Sequence, residues 1–101
     1  MKPKKALKML TALAQETRME VFRLLIQEGP DGLSAGMIAK IMNIPQTTLS
    51  FHLSMLKDAG LIKAIRNGRT INYAAKYKSI KNLNAFLTEN SYKKQLKKTE
   101  I

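Results

Sequence analysis

The sequence predicts a mainly α-helical domain of about five helices with one two-stranded β-hairpin. Apolar residues recur every three or four positions along most of the chain, which is the spacing of amphipathic helices. Two such segments are separated only by Asn43 and Ile44, so a tight turn must make the two helices cross steeply. After Gly60 the pattern alternates around Asn67-Gly68, the strongest short hairpin signal. Helix, turn, helix and hairpin in this order predict a winged helix-turn-helix fold.

The first helix is predicted from about Lys4 to Ala14. Its apolar stripe consists of Leu7, Leu10, Leu13 and Ala14. Residues 1–5 form a basic arm that contains Lys2, Lys4 and Lys5. Such an arm can lie along DNA or simply keep the terminus soluble, and the sequence leaves both roles open.

The second helix is predicted to begin with a capping box, because Thr17 and Glu20 have the spacing Thr-x-x-Glu. Its apolar stripe consists of Val21, Phe22, Leu24, Leu25 and Ile26. This stripe is wider than one face needs, as expected for a central helix packed on two sides. The turn-forming segment at residues 29–32 ends the helix.

The helix-turn-helix is predicted to follow. Ser34 can cap its first helix, which runs to about Met42, with a buried face formed by Met37, Ile38 and Ile41. The second helix is predicted to begin at Ile44-Pro45, because proline fits the first helical position, where its missing N–H is not needed. That helix runs to about Asp58.

Two chemically different faces are predicted on this second helix. One is a core-facing stripe of Leu49, Leu53 and Leu56, with Met55 beside it. The other carries Gln46, Thr47, Thr48, Ser50, Phe51 and Ser54. These mostly short, uncharged side chains suit base edges in a major groove, although Ser, Thr and Gln are also common on any solvated helix. Because such a helix enters the groove by its N-terminal end, Gln46, Thr47 and Ser50 would reach furthest.

The hairpin is predicted to close over Asn67-Gly68, since a type I′ turn needs positive φ at both central residues. That register pairs Arg66 with Arg69, Ala64 with Ile71, and Ile62 with Tyr73. Like charges directly opposite each other are unfavourable in a hairpin, so the paired arginines indicate a nearby anion such as a DNA phosphate. The alternative is a solvated loop whose arginines point apart.

The last helix is predicted from its cap at Ser79 to about Asn90. Its apolar residues are Ile80, Leu83, Phe86 and Leu87. This stripe and that of the first helix lie at opposite ends of the chain, and a two-fold dimer would bury both. The alternative is that both pack only within their own domain. Residues 92–101 form a polar, basic tail that is either a frayed helix or a disordered end.

The composition indicates one domain that binds a polyanion. The chain of 101 residues has 18 basic and 7 acidic side chains, for a formal net charge of +11. Nucleic acid is the first candidate partner and an anionic membrane the second, but no apolar run approaches the roughly 18 residues of a membrane span. The N-terminus lacks a continuous apolar signal region, so the predicted location is cytoplasmic.

The sequence offers few residues that could form a catalytic or metal-binding site. The absence of cysteine excludes disulfides, thiolate catalysis and zinc fingers. His52 is the only histidine, and it points away from Ser50 on a helix, so the two cannot form a nucleophile–base pair. His52 is expected to pack at the edge of the core or to touch a phosphate. The sequence therefore predicts no enzyme activity, no cofactor and no metal.

A longer pattern of segments carries a resemblance to a known family. It consists of LTALAQETR at residues 10–18, PQTTLSFHL at 45–53, LKDAGLI at 56–62 and a hairpin tipped by Gly68-Arg69. In this order, over about residues 7–90, the chain resembles the ArsR family of bacterial winged-helix repressors. The resemblance implies a homodimer on a two-fold-symmetric operator, an interface of the first and last helices, and repression relieved by an effector.

The usual metal sensors of that family are missing. Many members bind metals through cysteines on the helix before the recognition helix, where this sequence has Ser34 and Gly36. A second site in the family uses His and carboxylates on the last helix, but residues 79–96 contain only Glu89 as an acid and no His. The identity of the effector is therefore left open.

Together these observations predict a sequence-specific regulator of double-stranded DNA, a homodimeric repressor whose operator is an inverted repeat. The predicted DNA contacts are Gln46, Thr47, Thr48, Ser50, Phe51, His52, Ser54, Arg66, Asn67 and Arg69. The predicted dimer contacts are Leu7, Leu10, Ile80, Leu83, Phe86 and Leu87. Two alternatives stay open: a winged-helix module that binds a protein partner, and a protein that coats DNA without sequence preference.

Overall fold

The computed structural model describes residues 1–89, which form five helices and a small antiparallel sheet. The helices are α1 (Pro3–Leu13), α2 (Glu16–Glu28), α3 (Ala35–Met42), α4 (Gln46–Asp58) and α5 (Tyr77–Leu87). The strands are β1 (Leu33–Ser34), β2 (Ile62–Asn67) and β3 (Thr70–Ala75). The predicted winged helix-turn-helix is confirmed, with α3 and α4 as the helix pair and β2 and β3 as the wing. The predicted helix end at Asn90 and the tail at residues 92–101 lie outside the described residues.

One hydrophobic core joins the helices to the base of the wing. Its largest fully buried side chains are Met9, Val21, Leu25, Ile38, Leu49, Leu56, Leu61 and Ile62. They come from α1 to α4, from β2 and from the residue before β2. The core therefore holds α4 against α1, α2 and α3 and anchors the wing beside it.

Two helix starts differ from the prediction. α2 begins before Thr17, because Gln15 has an extended backbone and its side-chain oxygen accepts a hydrogen bond from the Arg18 N–H at 2.8 Å. Thr17 lies inside the first turn, so the predicted capping box is wrong. α5 begins at Tyr77 without a side-chain cap, so Ser79 lies within the helix and is not its cap.

The residues of α1 and α3 that face the core differ from the predicted ones. Leu7 and Leu10 are 63% and 37% exposed, and the core face of α1 consists instead of Ala6, Met9, Ala12 and Leu13. On α3, Ile38 is buried, but Met37 and Ile41 are exposed. Both helices carry apolar residues on more than one face, so helical spacing did not identify the face that the core would cover.

The wing has a different register from the predicted one. Gly68 and Arg69 form the two-residue loop, and the observed partners are Asn67 with Thr70 and Arg66 with Ile71. Gly68 has φ of 66°, whereas the φ of Arg69 is not positive. This is the pattern of a type II′ turn, with glycine first, and not of the predicted type I′ turn. The shift is two residues, so every side chain keeps its predicted face of the hairpin.

A third strand, β1, extends the wing into a sheet of order β1-β3-β2. Leu33 pairs with Tyr73 and Ser34 pairs with Asn72. Gly32 precedes β1 with φ of 69°, and a Cβ at this position would overlap the carbonyl oxygen of Tyr73. Only glycine therefore allows this close approach. The prediction of two strands missed β1, because two residues carry no periodic signal.

Candidate DNA-binding surface

A sharp turn between α3 and α4 sets the direction of the exposed helix. Asn43 has a left-handed backbone, with φ of 56° and ψ of 49°, a conformation that asparagine tolerates better than most residues. Its N–H donates to the Lys40 carbonyl at 3.3 Å, and the Ile44 N–H donates to the Ala39 carbonyl at 3.1 Å. These two bonds close the end of α3 and lead the chain directly into α4.

The N-terminus of α4 lies one residue later than predicted. Pro45 has an extended ψ of 145°, so it caps the helix and is not its first residue, and its carbonyl accepts a hydrogen bond from the Leu49 N–H at 3.0 Å. No side chain caps the N–H groups of the first turn. These groups and the positive end of the helix dipole therefore stay available to an anion such as a phosphate.

The two faces of α4 are arranged as predicted. Leu49, Leu53 and Leu56 are buried in the core. The exposed side chains are Gln46, Thr47, Thr48, Ser50, Phe51 and Ser54. The Phe51 ring is 60% exposed and stands among hydroxyl groups, where it can meet an apolar group such as a thymine methyl. This face offers hydrogen-bond donors, acceptors and one apolar contact to a partner.

His52 does not belong to this exposed face, so its inclusion among the DNA contacts is corrected. The side chain is buried, and its Nδ1 lies 3.4 Å from an η-nitrogen of Arg18, which is also buried. Burial, together with the positive charge of Arg18, lowers the pKa of the imidazole below its ordinary value. The fold therefore disfavours the charged imidazole, and His52 packs α4 against Arg18 of α2.

The wing presents Arg66, Asn67 and Arg69 to solvent. Arg66 lies opposite Ile71 and Arg69 lies in the loop, so the two arginines are not paired. The argument that paired like charges require an anion therefore no longer applies. Two exposed guanidinium groups nevertheless remain at the tip of the wing, beside a loop in which the Thr70 hydroxyl donates to the Asn67 carbonyl at 2.8 Å.

A shallow cleft between α4 and the wing adds residues that the sequence reasoning missed. The cleft has a volume of about 170 Å³ and is lined by Ser50, Leu53, Ser54, Lys57 and Tyr73. Lys57 is exposed one turn after Ser54 and two turns after Ser50, so it extends the polar face of α4 with a cation. That spacing was readable in the sequence, whereas the approach of Tyr73 follows from the fold.

The predicted dimer residues divide into two groups. Leu7, Leu10 and Leu87 are exposed apolar side chains on α1 and α5, and α1 and α5 are in contact. Leu83 is buried within its own subunit, so its assignment to the dimer surface is corrected. Ile80 and Phe86 are half-buried. The exposed leucines therefore leave apolar surface on both terminal helices.

The acidic side chains and the single histidine are scattered over the described part of the chain. No group of three or more of them within residues 1–89 could hold a metal ion. Within residues 1–89, no helix is both long enough and apolar enough to cross a membrane. The longest, α2 and α4, have 13 residues, against about 20 for a membrane span.

Similarity to known proteins covers the helix-turn-helix. A family model described as a helix-turn-helix domain matches residues 13–64. The uncharacterized HTH-type transcriptional regulator YceK of Bacillus subtilis is 37% identical over 59 residues. This match spans 58% of the present chain and 58% of YceK, so the chain matches somewhat over half of its relative.

Solved structures share the whole fold. An ArsR-like transcriptional regulator from Rhodococcus sp. RHA1 superimposes with a TM-score of 0.80 at 23% identity, over 93% of this chain and 86% of that one. Mb0332 from Mycobacterium bovis, described as a homodimeric winged helix-turn-helix DNA-binding domain and a possible ArsR-family regulator, gives 0.70 at 24% identity, over 97% and 88%. The chain therefore belongs to the helix-turn-helix family of DNA-binding transcriptional regulators, which are not enzymes, and it shares the winged fold of the ArsR-like regulator from Rhodococcus.

Proposed function

We propose that this regulator is a homodimeric repressor that binds an inverted-repeat operator in double-stranded DNA. The observation that carries the proposal is the exposed hydrogen-bonding face of α4, which lies opposite the buried leucine stripe and beside the cationic wing. A helix held in this way can enter a major groove, while the wing follows the neighbouring backbone.

Base reading is assigned to the N-terminal half of α4. Gln46, Thr47 and Ser50 are exposed on its first two turns, where a recognition helix approaches base edges. Phe51 supplies an apolar contact. Because these side chains carry no charge, they contribute selectivity more than overall attraction.

Attraction to the phosphate backbone is assigned to the cations. Arg66 and Arg69 at the wing, and Lys57 in the cleft beside it, are exposed and border the reading face. Each such contact releases counterions from DNA, so binding must weaken as salt increases. The net charge of +11 supports the same attraction at long range.

Dimerisation is assigned to α1 and α5. Leu7, Leu10 and Leu87 are 63%, 37% and 55% exposed, and a two-fold partner would cover them with the same surface. The homodimeric description of Mb0332 supports this arrangement. Two recognition helices would then read half-sites about one helical turn apart.

Repression is proposed through occupancy, since a dimer bound at a promoter excludes other proteins from the same DNA. The protein would act in the cytoplasm. A cysteine-based metal signal is excluded by the lack of cysteine, so release from DNA requires another signal. A promoter–reporter assay with and without the regulator tests the direction of control: increased reporter output would show activation and overturn the repressor proposal.

Selection of bound duplexes from a random pool, with excess competitor DNA, tests the core of the proposal. An enriched inverted repeat is expected. Gln46→Ala should change the preferred base at one position, whereas Arg69→Ala should weaken binding to all duplexes and reduce the salt slope by about one unit. No enrichment despite binding would support a DNA-coating protein, and no DNA binding at all would support a protein-interaction module.

Sedimentation velocity tests the proposed dimer. The double variant Leu7→Gln and Leu87→Gln should shift the protein from dimer to monomer, because both side chains leave the apolar surface. The matched control is Ile41→Gln on α3, which is 52% exposed and is not part of the proposed interface. Equal association of both variants would contradict the assigned interface.

A further inference from the structure

Helix α1 carries three differently composed faces. Its core face consists of Ala6, Met9, Ala12 and Leu13. Leu7 and Leu10 project on a second side. Lys4, Lys8 and Thr11 recur at positions i, i+4 and i+7 and so share a third side. At 100° per residue this side borders Leu7, which lies about 40° from Thr11 and about 100° from Lys8. The lysine side therefore adjoins the surface assigned to the dimer, but neither Leu7 nor Leu10 lines the groove described next.

This lysine side of α1 lines a groove against the C-terminal end of α4, which we call the α1–α4 groove. One part, of about 330 Å³, is lined by Lys8, Thr11, Ala12, Met55, Asp58 and Ala59. An adjoining part of about 530 Å³ shares Lys8, Asp58 and Ala59 and adds Gly60 and the lysines at positions 2, 4 and 5. Both parts are open to solvent, and the part lined by the lysines at positions 2, 4 and 5 is the more open of the two.

The charges of the α1–α4 groove are unbalanced. Four lysines surround it, and Asp58 supplies the only carboxylate of its lining. Within residues 1–89, neither Asp58 nor these lysines form an ion pair. Lys4 and Lys8 are four residues apart on one helix, a like-charge spacing that destabilises the helix. An anion in the groove would offset this repulsion.

The operator does not account for this positive charge. α4 has 13 residues and is therefore about 20 Å long. Its reading residues, such as Gln46 and Thr47, lie at its N-terminal end, whereas the groove lies at Asp58 and Ala59 beyond the other end. Lys57, the proposed phosphate contact nearest the groove, is turned about 100° from Asp58 around the helix, so a duplex that reaches Lys57 would leave the groove open to another ligand.

The floor of the groove shows which kind of anion fits. Ala12, Ala59 and Met55 supply apolar surface beside the ammonium groups, and Met55 belongs to the recognition helix. We propose that the α1–α4 groove binds a small amphipathic organic acid, with its carboxylate at Lys5 and Lys8 and its apolar body on Met55. Methionine adapts readily to apolar ligands of different shape.

Such a ligand would act as an effector, and this consequence rests on the proposed function. The groove has one wall on α1, which carries the dimer surface, and the other on α4, which reads DNA. A ligand that fits one arrangement of α1 and α4 better than another shifts the balance between them. Ligand and operator must then change each other's affinity by the same factor.

Octanoate is a suitable probe, compared with octanol, which lacks the charge, and with acetate, which lacks the apolar body. Amide resonances of the DNA-free protein should shift saturably with octanoate at Lys8, Thr11, Met55 and Asp58. Octanol and acetate should each bind at least about tenfold more weakly, since each loses one of the two interactions. Shifts spread evenly over the basic surface, or equal binding of acetate, would overturn the proposal.

A charge-matched pair of variants separates the groove from general basicity. Lys5→Gln with Lys8→Gln should weaken octanoate binding about tenfold or more. Lys78→Gln with Lys81→Gln removes the same charge from exposed positions at α5 and should change it less than about twofold. Equal loss in both variants would overturn the site. Octanoate binding without any selected DNA sequence would leave the site standing and overturn the proposed function, and selected DNA that octanoate does not affect would overturn only the effector role.

Discussion

Arg18 is the buried residue whose removal should show most clearly how the recognition helix is held. It is 8% exposed, and its Nε donates to the Ala12 carbonyl at 2.6 Å. An η-nitrogen lies 3.4 Å from Nδ1 of His52. The side chain therefore ties the end of α1 and the start of α2 to the middle of α4. It has no ion-pair partner within residues 1–89, so hydrogen bonds alone compensate its burial.

The cost of Arg18→Met follows from these two contacts. The bond to Ala12 involves a charged donor and a carbonyl at the C-terminal end of α1, and such a bond contributes about 1.5–3 kcal/mol. The contact with His52 is longer than ordinary hydrogen bonds and should add less than about 0.5 kcal/mol. Methionine partly offsets the loss, because no charge then has to be buried. We expect the free energy of unfolding to fall by about 2 kcal/mol, which lowers Tm by about 8–16 °C for a domain of this size.

Urea unfolding followed by circular dichroism measures this change. One protein concentration must be used throughout, since association would stabilise the folded state. The matched control is Arg23→Met, an exposed arginine on the same helix, which should change the free energy of unfolding by less than about 0.5 kcal/mol. If Arg18→Met stayed within that margin of the control, or stabilised the protein, the reasoning from buried hydrogen bonds would be refuted.

Three further predictions concern pH, backbone and DNA. The folded state lowers the pKa of His52, so the unfolded chain binds more protons than the folded protein. The contribution of His52 to the free energy of unfolding should therefore be fully present above about pH 6.5 and should be lost as the pH falls from that value through the lowered pKa. His52→Gln should flatten this pH dependence, as measured by urea unfolding. Gly32→Ala should destabilise the protein by more than Gly68→Ala, because both glycines have positive φ but only a Cβ at Gly32 would overlap the Tyr73 carbonyl. Backbone strain at positive φ alone costs about 1–2 kcal/mol. Equal losses in the free energy of unfolding would contradict the role assigned to the overlap with Tyr73. Lys57→Gln should reduce the salt slope of operator binding by about one unit, whereas Lys81→Gln on α5 should leave it unchanged; equal slopes would remove Lys57 from the phosphate contacts.

Local chemistry was enough to predict the helix-turn-helix. Ser34 caps α3 as predicted, with its hydroxyl accepting a hydrogen bond from the Met37 N–H at 3.2 Å. Gly60 follows α4 with φ of 79°, the left-handed conformation in which a glycine commonly ends a helix. The leucine stripe of α4 was also predicted correctly, because only one of its faces is continuously apolar. Caps, turns and a single apolar face depend on neighbouring residues, so the sequence displays them directly.

The hairpin shows how far local reasoning extends. Alternation predicted the wing and the face of each side chain, and both are observed. The choice between Asn67-Gly68 and Gly68-Arg69 as the loop was not predictable from alternation, since the two registers differ by two residues and place each side chain on the same face. The pairing of β1 with β3 further depends on contact between positions far apart in the chain.

The amino-acid sequence by itself determined the order of the elements, the charge and the two faces of α4. Tertiary structure decided which apolar face of α1 enters the core, since Met9 and Leu7 are equally plausible by spacing but only Met9 is buried. It also decided that His52 turns inward, because Arg18, 34 residues earlier in the chain, meets it there. The α1–α4 groove exists only where the lysines of one helix lie beside the end of another. The spacing of residues along the chain defines which side chains share a helical face, but only contacts with residues distant in sequence determine whether that face packs in the core, lines a groove or stays in solvent.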